Sequence, residues 1–64
     1  MNYKVGQEIK YRNGWIQTGK IVEIKGKNIV VINDEAGMEL WNAGYAVGDC
    51  IRESQIIEII STGV

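Results

Sequence analysis

The side chains of this 64-residue chain that could take part in chemistry are aromatic and basic, and those most useful for catalysis are missing. Histidine is absent, which removes the usual general base and the usual metal ligand. Cys50 is the single cysteine, so it has neither a disulfide partner nor a histidine to activate it. No carboxylates are spaced for acid–base catalysis or for a calcium loop. We therefore expect no enzymatic activity, no metal site and no cofactor.

Tryptophan and tyrosine supply every aromatic ring, because phenylalanine is absent. Both residue types combine an apolar ring with a polar group, which favours them at interfaces that stay partly wet. The alternative is that the tryptophans cap a small core of isoleucine and valine. We predict that loops at one end of the molecule present four aromatic side chains to a protein partner: Tyr11, Trp15, Trp41 and Tyr45.

The charged residues are distributed unevenly along the chain. Residues 1–32 hold six of the seven basic side chains, and residues 33–64 hold six of the eight acidic ones. Single-stranded nucleic acid is bound by cations that neutralise phosphates and by rings that stack on bases. A nucleic-acid site is therefore the second candidate, unless these are ordinary solubilising residues. It would use Lys10, Arg12, Lys20, Lys25 and Lys27.

Short apolar segments separated by glycine-containing turns must position these side chains. Residues 29–32 are continuously apolar and β-branched, which predicts a central strand buried on both faces. Residues 53–55 suggest one helical turn before the last strand, and residues 42–49 a loop or a small hairpin. The predicted strands are residues 7–12, 15–24, 29–32, 38–42 and 57–60.

The second strand has an informative period, G-x-I-x-x-I, from Gly19 to Ile24. Strict alternation after Ile21 would turn Glu23 towards the core and Ile24 away from it. A one-residue bulge near Val22 restores Ile24 to the core, and it also bends and twists the strand. Because a strongly bent strand lets a small sheet fold over onto itself, this pattern favours a barrel over a flat sheet.

Over about residues 5–60 the chain resembles the SH3-like barrels of the Tudor and KOW type. Residues 5–9 (VGQEI) are similar to their hydrophobic-Gly-Asp-x-Val opening, and residues 19–24 (GKIVEI) to their bent second strand. Residues 54–56 (SQI) are similar to the short helical turn before their last strand. The resemblance implies an all-β fold, a small SH3-like barrel of about five strands with a helical turn before the last strand.

The resemblance also implies two kinds of partner. Tudor domains that bind methylated lysine or arginine use an aromatic cage, but the matching positions here are Lys10 and Gln17. KOW-type modules bind RNA, ribosomes or RNA polymerase, and Gly19 stands where their central glycine would be. The main prediction is a non-enzymatic module for protein–protein interaction, and the alternative is a KOW-like module that binds nucleic acid or acts in transcription or translation.

The chain has the size of one domain, and we expect residues 1–64 to form it with a frayed C-terminus at residues 61–64. No segment approaches the ~20 apolar residues that cross a bilayer, and there is no signal-peptide pattern. We therefore expect a cytoplasmic protein without a membrane partner, of the kind that serves bacteria or phages as an accessory or regulatory factor. A small core with exposed sheet edges also makes self-association a prediction.

Overall fold

The computed structural model describes residues 3–61, which form a mostly β structure with two short helical segments. In chain order its elements are β1 (Glu8–Asn13), β2 (Trp15–Lys25), β3 (Asn28–Ile32), α1 (Glu35–Asn42), β4 (Asp49–Arg52), the 3₁₀ turn (Glu53–Gln55) and β5 (Ile56–Ser61).

The five strands form one antiparallel sheet in the order β4-β3-β2-β1-β5. The prediction of about five strands is confirmed, and so is the prediction of a helical turn before the last strand. Strand β1 lies inside the sheet, between β2 and the last strand of the chain. The sheet does not close, because β4 and β5 form its two edges.

The predicted bulge is present in β2. Its pairing with β3 shifts register between Ile21 and Glu23, so that Val22 has no partner in β3. As expected, Ile24 then packs against the core, although it remains partly exposed. A straight strand of 11 residues would be roughly 35 Å long, whereas the molecule extends 28 Å along its longest axis. A bulge is the kind of irregularity that lets such a strand bend.

The core lies on one face of the sheet. Its six members are fully or almost fully buried and come from the first four strands: Ile9, Tyr11, Ile21, Ile29, Val31 and Ile51. Tyr3, Ile24 and Ile56 pack against this cluster from its margin. The core is small and mostly aliphatic, as the composition predicts, but its largest member is a tyrosine.

The prediction of a fourth strand at residues 38–42 is wrong, because this segment belongs to helix α1. Asp34 caps the helix, since its carboxylate accepts a hydrogen bond from the Gly37 amide over 2.6 Å. The residues of the helix that are partly buried are Gly37, Met38 and Trp41, which follow helical spacing. The fourth strand of the sheet is instead Asp49–Arg52.

Residues 33–48, which we call the insertion, cover the face of β3 that points away from the core. Ile32 is buried on that face, opposite to Val31. A Cβ atom at Gly37 would lie 3.0 Å from Ile32 Cγ2, and one at Gly48 would lie 3.0 Å from Ile32 Cγ1. The insertion therefore packs closely on Ile32 from both of its ends. The prediction that β3 is buried on both faces is confirmed for this residue.

Strand β5 includes the first residue of the segment that was predicted to fray, residues 61–64. Strand β5 begins at Ile56, directly after the 3₁₀ turn, and continues through Ser61. Ser61 was predicted to fray, but it pairs with Glu8 of β1. The rest of the predicted frayed segment, residues 62–64, lies outside the described residues.

Candidate binding cleft

The end of helix α1 places two aromatic side chains next to each other. Gly44 has φ +98°, a conformation that glycine adopts without strain, and it turns the chain back after the helix. The Tyr45 amide donates to the Leu40 carbonyl and the Gly44 amide to the Trp41 carbonyl, each over 3.0 Å. This pair of hydrogen bonds is the Schellman motif. It fixes the backbone of Tyr45 one turn away from Trp41.

Trp41 and Tyr45 line a cleft of about 350 Å³ whose other lining residues are Glu23, Gly44 and Ala46. Trp41 is half-buried, whereas Tyr45 has 62% of its surface exposed. Glu23 reaches the cleft from the bulged part of β2. Aromatic faces and a carboxylate both attract a positive charge, so the cleft suits a cationic side chain such as lysine or arginine.

The segment of the chain that carries Trp41 and Tyr45 is acidic. Residues 33–49 contain Asp34, Glu35, Glu39 and Asp49 but no lysine or arginine. Within residues 3–61, none of these four carboxylates forms a salt bridge. Glu23 is within 3.8 Å of Lys25 Nζ, a long contact between exposed groups that water screens strongly. The negative potential of this segment therefore remains available to a basic partner.

The structure separates the aromatic residues that the sequence grouped together. Trp41 and Tyr45 lie at one cleft, whereas Trp15 begins β2 at the β1–β2 turn and has 72% of its surface exposed. Seven residues of β2 lie between Trp15 and Glu23 of the cleft. Trp15 is not among the residues that line the cleft, so the structure does not bring all four predicted rings to this site.

The prediction that Tyr11 contacts a partner is wrong, because its ring is fully buried in the core. Its hydroxyl donates to Asp49 Oδ2 over 2.9 Å and accepts from Asn33 Nδ2 over 3.4 Å. Asn33 Nδ2 also donates to Gln17 Oε1 over 2.6 Å. Asn33 is the first residue of the insertion, and Asp49 directly follows its last residue. Tyr11 thus connects the core to both ends of the segment that carries the cleft.

Burial raises the pKa of Tyr11 above its ordinary value, and the hydrogen bond and negative charge of Asp49 raise it further. The neutral phenol is the form that can donate to the Asp49 carboxylate. Tyr11 is therefore an uncharged donor throughout the neutral pH range, and its role is structural.

We expect Tyr11→Phe to lower the free energy of unfolding by about 1–2 kcal/mol, because it leaves Asp49 and Asn33 without their shared partner while preserving the ring. Urea denaturation would measure the change. The matched control is Tyr45→Phe, which removes a hydroxyl from a largely exposed ring. Equal stability of the wild type and Tyr11→Phe would show that this network does not hold the insertion.

The basic residues form two groups instead of one continuous face. Lys10, Arg12 and Lys20 lie on β1 and β2, and Lys10 Nζ is 3.4 Å from Glu58 Oε1. Lys25 and Lys27 lie at the β2–β3 turn, at the far end of β2. Lys27 lines a separate cleft of about 260 Å³ together with Arg52, which the sequence analysis did not select.

The described residues contain neither a metal-binding cluster nor a helix that could cross a membrane. In residues 3–61, no group of three or more His, Cys, Asp or Glu side chains is arranged to hold a metal ion. No helix in the same range has both the length and the apolar composition needed to cross a membrane. Comparison with protein-family models, curated proteins and solved structures finds no match to this chain.

Proposed function

We propose that this chain is a non-enzymatic protein-binding module with a fold of the SH3-like type, and that its partner docks at the cleft between Trp41 and Tyr45. The fold assignment is supported by the central position of β1, the bulged second strand and the 3₁₀ turn before β5. The bulged strand and the 3₁₀ turn are two of the features by which the sequence resembles the Tudor and KOW barrels. A sheet that curves without closing agrees with a small barrel that is open between β4 and β5.

The observation that carries the functional proposal is the convergence of two aromatic rings and one carboxylate on a single open cleft. Tyr45 is too exposed for its ring to serve mainly as core. The Schellman motif fixes the backbone of Tyr45, so only the rotamer of the ring remains to be ordered when a partner binds. Anchors of this type, aromatic and held in place before binding, dominate the affinity of protein interfaces.

The charge of the insertion identifies the class of partner. The insertion carries three carboxylates, Asp34, Glu35 and Glu39, and no cation, so its net negative charge disfavours nucleic acid and acidic proteins and accelerates the approach of a basic segment. We therefore propose a partner that inserts a lysine or arginine side chain between Trp41 and Tyr45, beside Glu23.

One observation favours the second candidate, a nucleic acid. Lys27 and Arg52 border the same cleft, and Lys25 lies two residues away along the β2–β3 turn. Three cations at one end of the sheet could neutralise phosphates. Glu53 also lines this cleft, however, and no tryptophan or tyrosine does, so it lacks the ring on which a base would stack.

The two functions are separated by capture from a lysate of the organism that encodes the chain, using the immobilised full-length protein with and without nuclease. We expect a basic protein to remain bound after nuclease treatment and to be released as salt is raised, because charge steers the contact. The double variant Lys25→Glu, Lys27→Glu should capture it at least as well. If nuclease or the double variant abolished capture, the nucleic-acid function would replace the proposed one.

A further inference from the structure

The outer edge of β5 is the second surface of the molecule that is built for contact, and it is distinct from the aromatic cleft. Strand β5 ends the sheet, and within residues 3–61 no further strand pairs with its outer edge. Three of its isoleucines are substantially exposed: Ile57 by 48%, Ile59 by 38% and Ile60 by 50%. An edge of this kind offers unpaired backbone groups and apolar side chains together.

The two edges of the sheet differ in how well they are protected. Strand β4 has only four residues, two of which are the charged Asp49 and Arg52. Strand β5 has six residues and lacks the lysine and proline that often prevent edge pairing, and its protection is limited to two irregularities in its pairing with β1. Its single charged residue, Glu58, is already paired with Lys10 of β1. The edge of β5 is therefore apolar and close to electrically neutral.

Two residues of β5 have no pairing partner in β1, the strand beside it. Its register shifts twice, so Ile57 and Ile60 have no partner residue in β1. These two residues are the most exposed of the three isoleucines. Their side chains gain little from the fold of the single chain, which points to contacts outside it.

The order of residues in β5 identifies the occupant. Residues 56–60 are Ile-Ile-Glu-Ile-Ile, which is the same in both directions about Glu58. A contact between two identical copies about a two-fold axis requires a self-complementary surface. An antiparallel strand meets that requirement when its sequence is symmetric, because each isoleucine then faces an isoleucine of the other copy.

We propose that two copies of this chain associate through antiparallel pairing of their β5 strands, centred on Glu58. In this register Ile57 faces Ile59 of the second copy, and Ile56 faces Ile60. The two Glu58 carboxylates meet at the axis and repel each other, and Lys10 of each copy, 3.4 Å from its own Glu58, offsets this repulsion. The result is a continuous ten-stranded sheet. It uses none of the residues of the aromatic cleft, so it does not rest on the proposed function.

The expected dimer is weak, because one six-residue strand buries less than the ~800 Å² per partner of a standard interface. We expect a dissociation constant between roughly 10 µM and 1 mM. Sedimentation velocity of the full-length chain across this range should show a monomer–dimer equilibrium. A monomer at every concentration, or association that continues beyond the dimer, would overturn the proposal.

A charged residue on the edge supplies the specific test. Ile60→Lys should raise the dissociation constant at least tenfold, because it places an unpaired cation against isoleucine in the dimer. Ile16→Lys is the matched control, since Ile16 is 53% exposed but lies on β2, away from β5. Circular dichroism would verify that both variants fold. Loss of the dimer in both variants, or in neither, would reject β5 as the interface.

An engineered disulfide between two copies tests the register of β5 pairing, and it does so even if a lysine variant fails to fold. In a Cys50→Ser background, Glu58→Cys should form an intermolecular disulfide under mild oxidation, because residue 58 faces its own copy across the axis. Ile60→Cys in the same background should not, because residue 60 faces residue 56. Cross-linking of Ile60→Cys alone, or of neither variant, would contradict pairing centred on Glu58.

Discussion

Gly19→Val is expected to lower the free energy of unfolding by about 3 kcal/mol, which is a large share of the roughly 3–10 kcal/mol that holds a chain of this length folded. A Cβ atom at Gly19 would lie 2.6 Å from Val31 Cγ1 and 2.9 Å from the Ile32 carbonyl oxygen. Val31 belongs to the core, and the carbonyl belongs to the backbone of β3. Neither group can move away without displacing β3 from β2.

Thermal denaturation followed by circular dichroism would measure this loss, which corresponds to a fall in Tm of roughly 15 °C. The control is Gly26→Asn at the β2–β3 turn, where an added Cβ atom meets nothing within 4 Å. Gly26 has φ +59°, and asparagine tolerates this conformation better than most residues, so we expect a small effect. A Gly19→Val protein as stable as the Gly26→Asn control would contradict the close contact of β2 with β3.

The alternation of residues on β1, β2 and β3 predicted much of the sheet because each strand has one face in the core. The same rule explains the error over Tyr11. Alternation placed its side chain with Ile9 and opposite to Lys10 and Arg12, and the structure has this arrangement. Its selection as a binding residue rested on residue type alone, without regard to the face on which it lies.

Helix α1 could not be predicted from periodicity, because eight residues contain barely two helical turns and none of them is fully buried. Met38, Leu40 and Asn42 alternate with Glu39 and Trp41, which is equally compatible with a strand. The signals that define the helix lie at its ends. Asp34 is a good N-cap residue, and Gly44 is placed to end the helix in a Schellman motif.

The cleft could not be predicted from the sequence, because the residues that line it come from distant parts of the chain. Glu23 lies on β2, whereas Trp41 and Tyr45 flank the end of α1. Placing them together requires the insertion to fold back over β3, and that depends on the close packing of Gly37 and Gly48 against Ile32. The sequence shows that Trp41 and Tyr45 are four positions apart, but it does not show that Glu23 lies beside them.

Tyr45→Ala is expected to weaken binding of the captured partner by about fivefold to thirtyfold, the effect of removing an aromatic anchor worth about 1–2 kcal/mol. The ring is largely exposed and the Schellman hydrogen bonds come from the backbone, so the fold should survive the change. Trp15→Ala is the matched control, because it removes a still more exposed ring far from the cleft. We expect it to leave affinity unchanged.

The most direct test of the proposed binding site is isothermal titration calorimetry of the captured partner against the wild type, Tyr45→Ala and Trp15→Ala, each shown to be folded. The cleft between Trp41 and Tyr45 predicts a loss of affinity for Tyr45→Ala alone, together with a decline of wild-type affinity as salt is raised. Full affinity of Tyr45→Ala, with the loss found instead in Trp15→Ala, would place the partner at the β1–β2 turn and contradict the proposal.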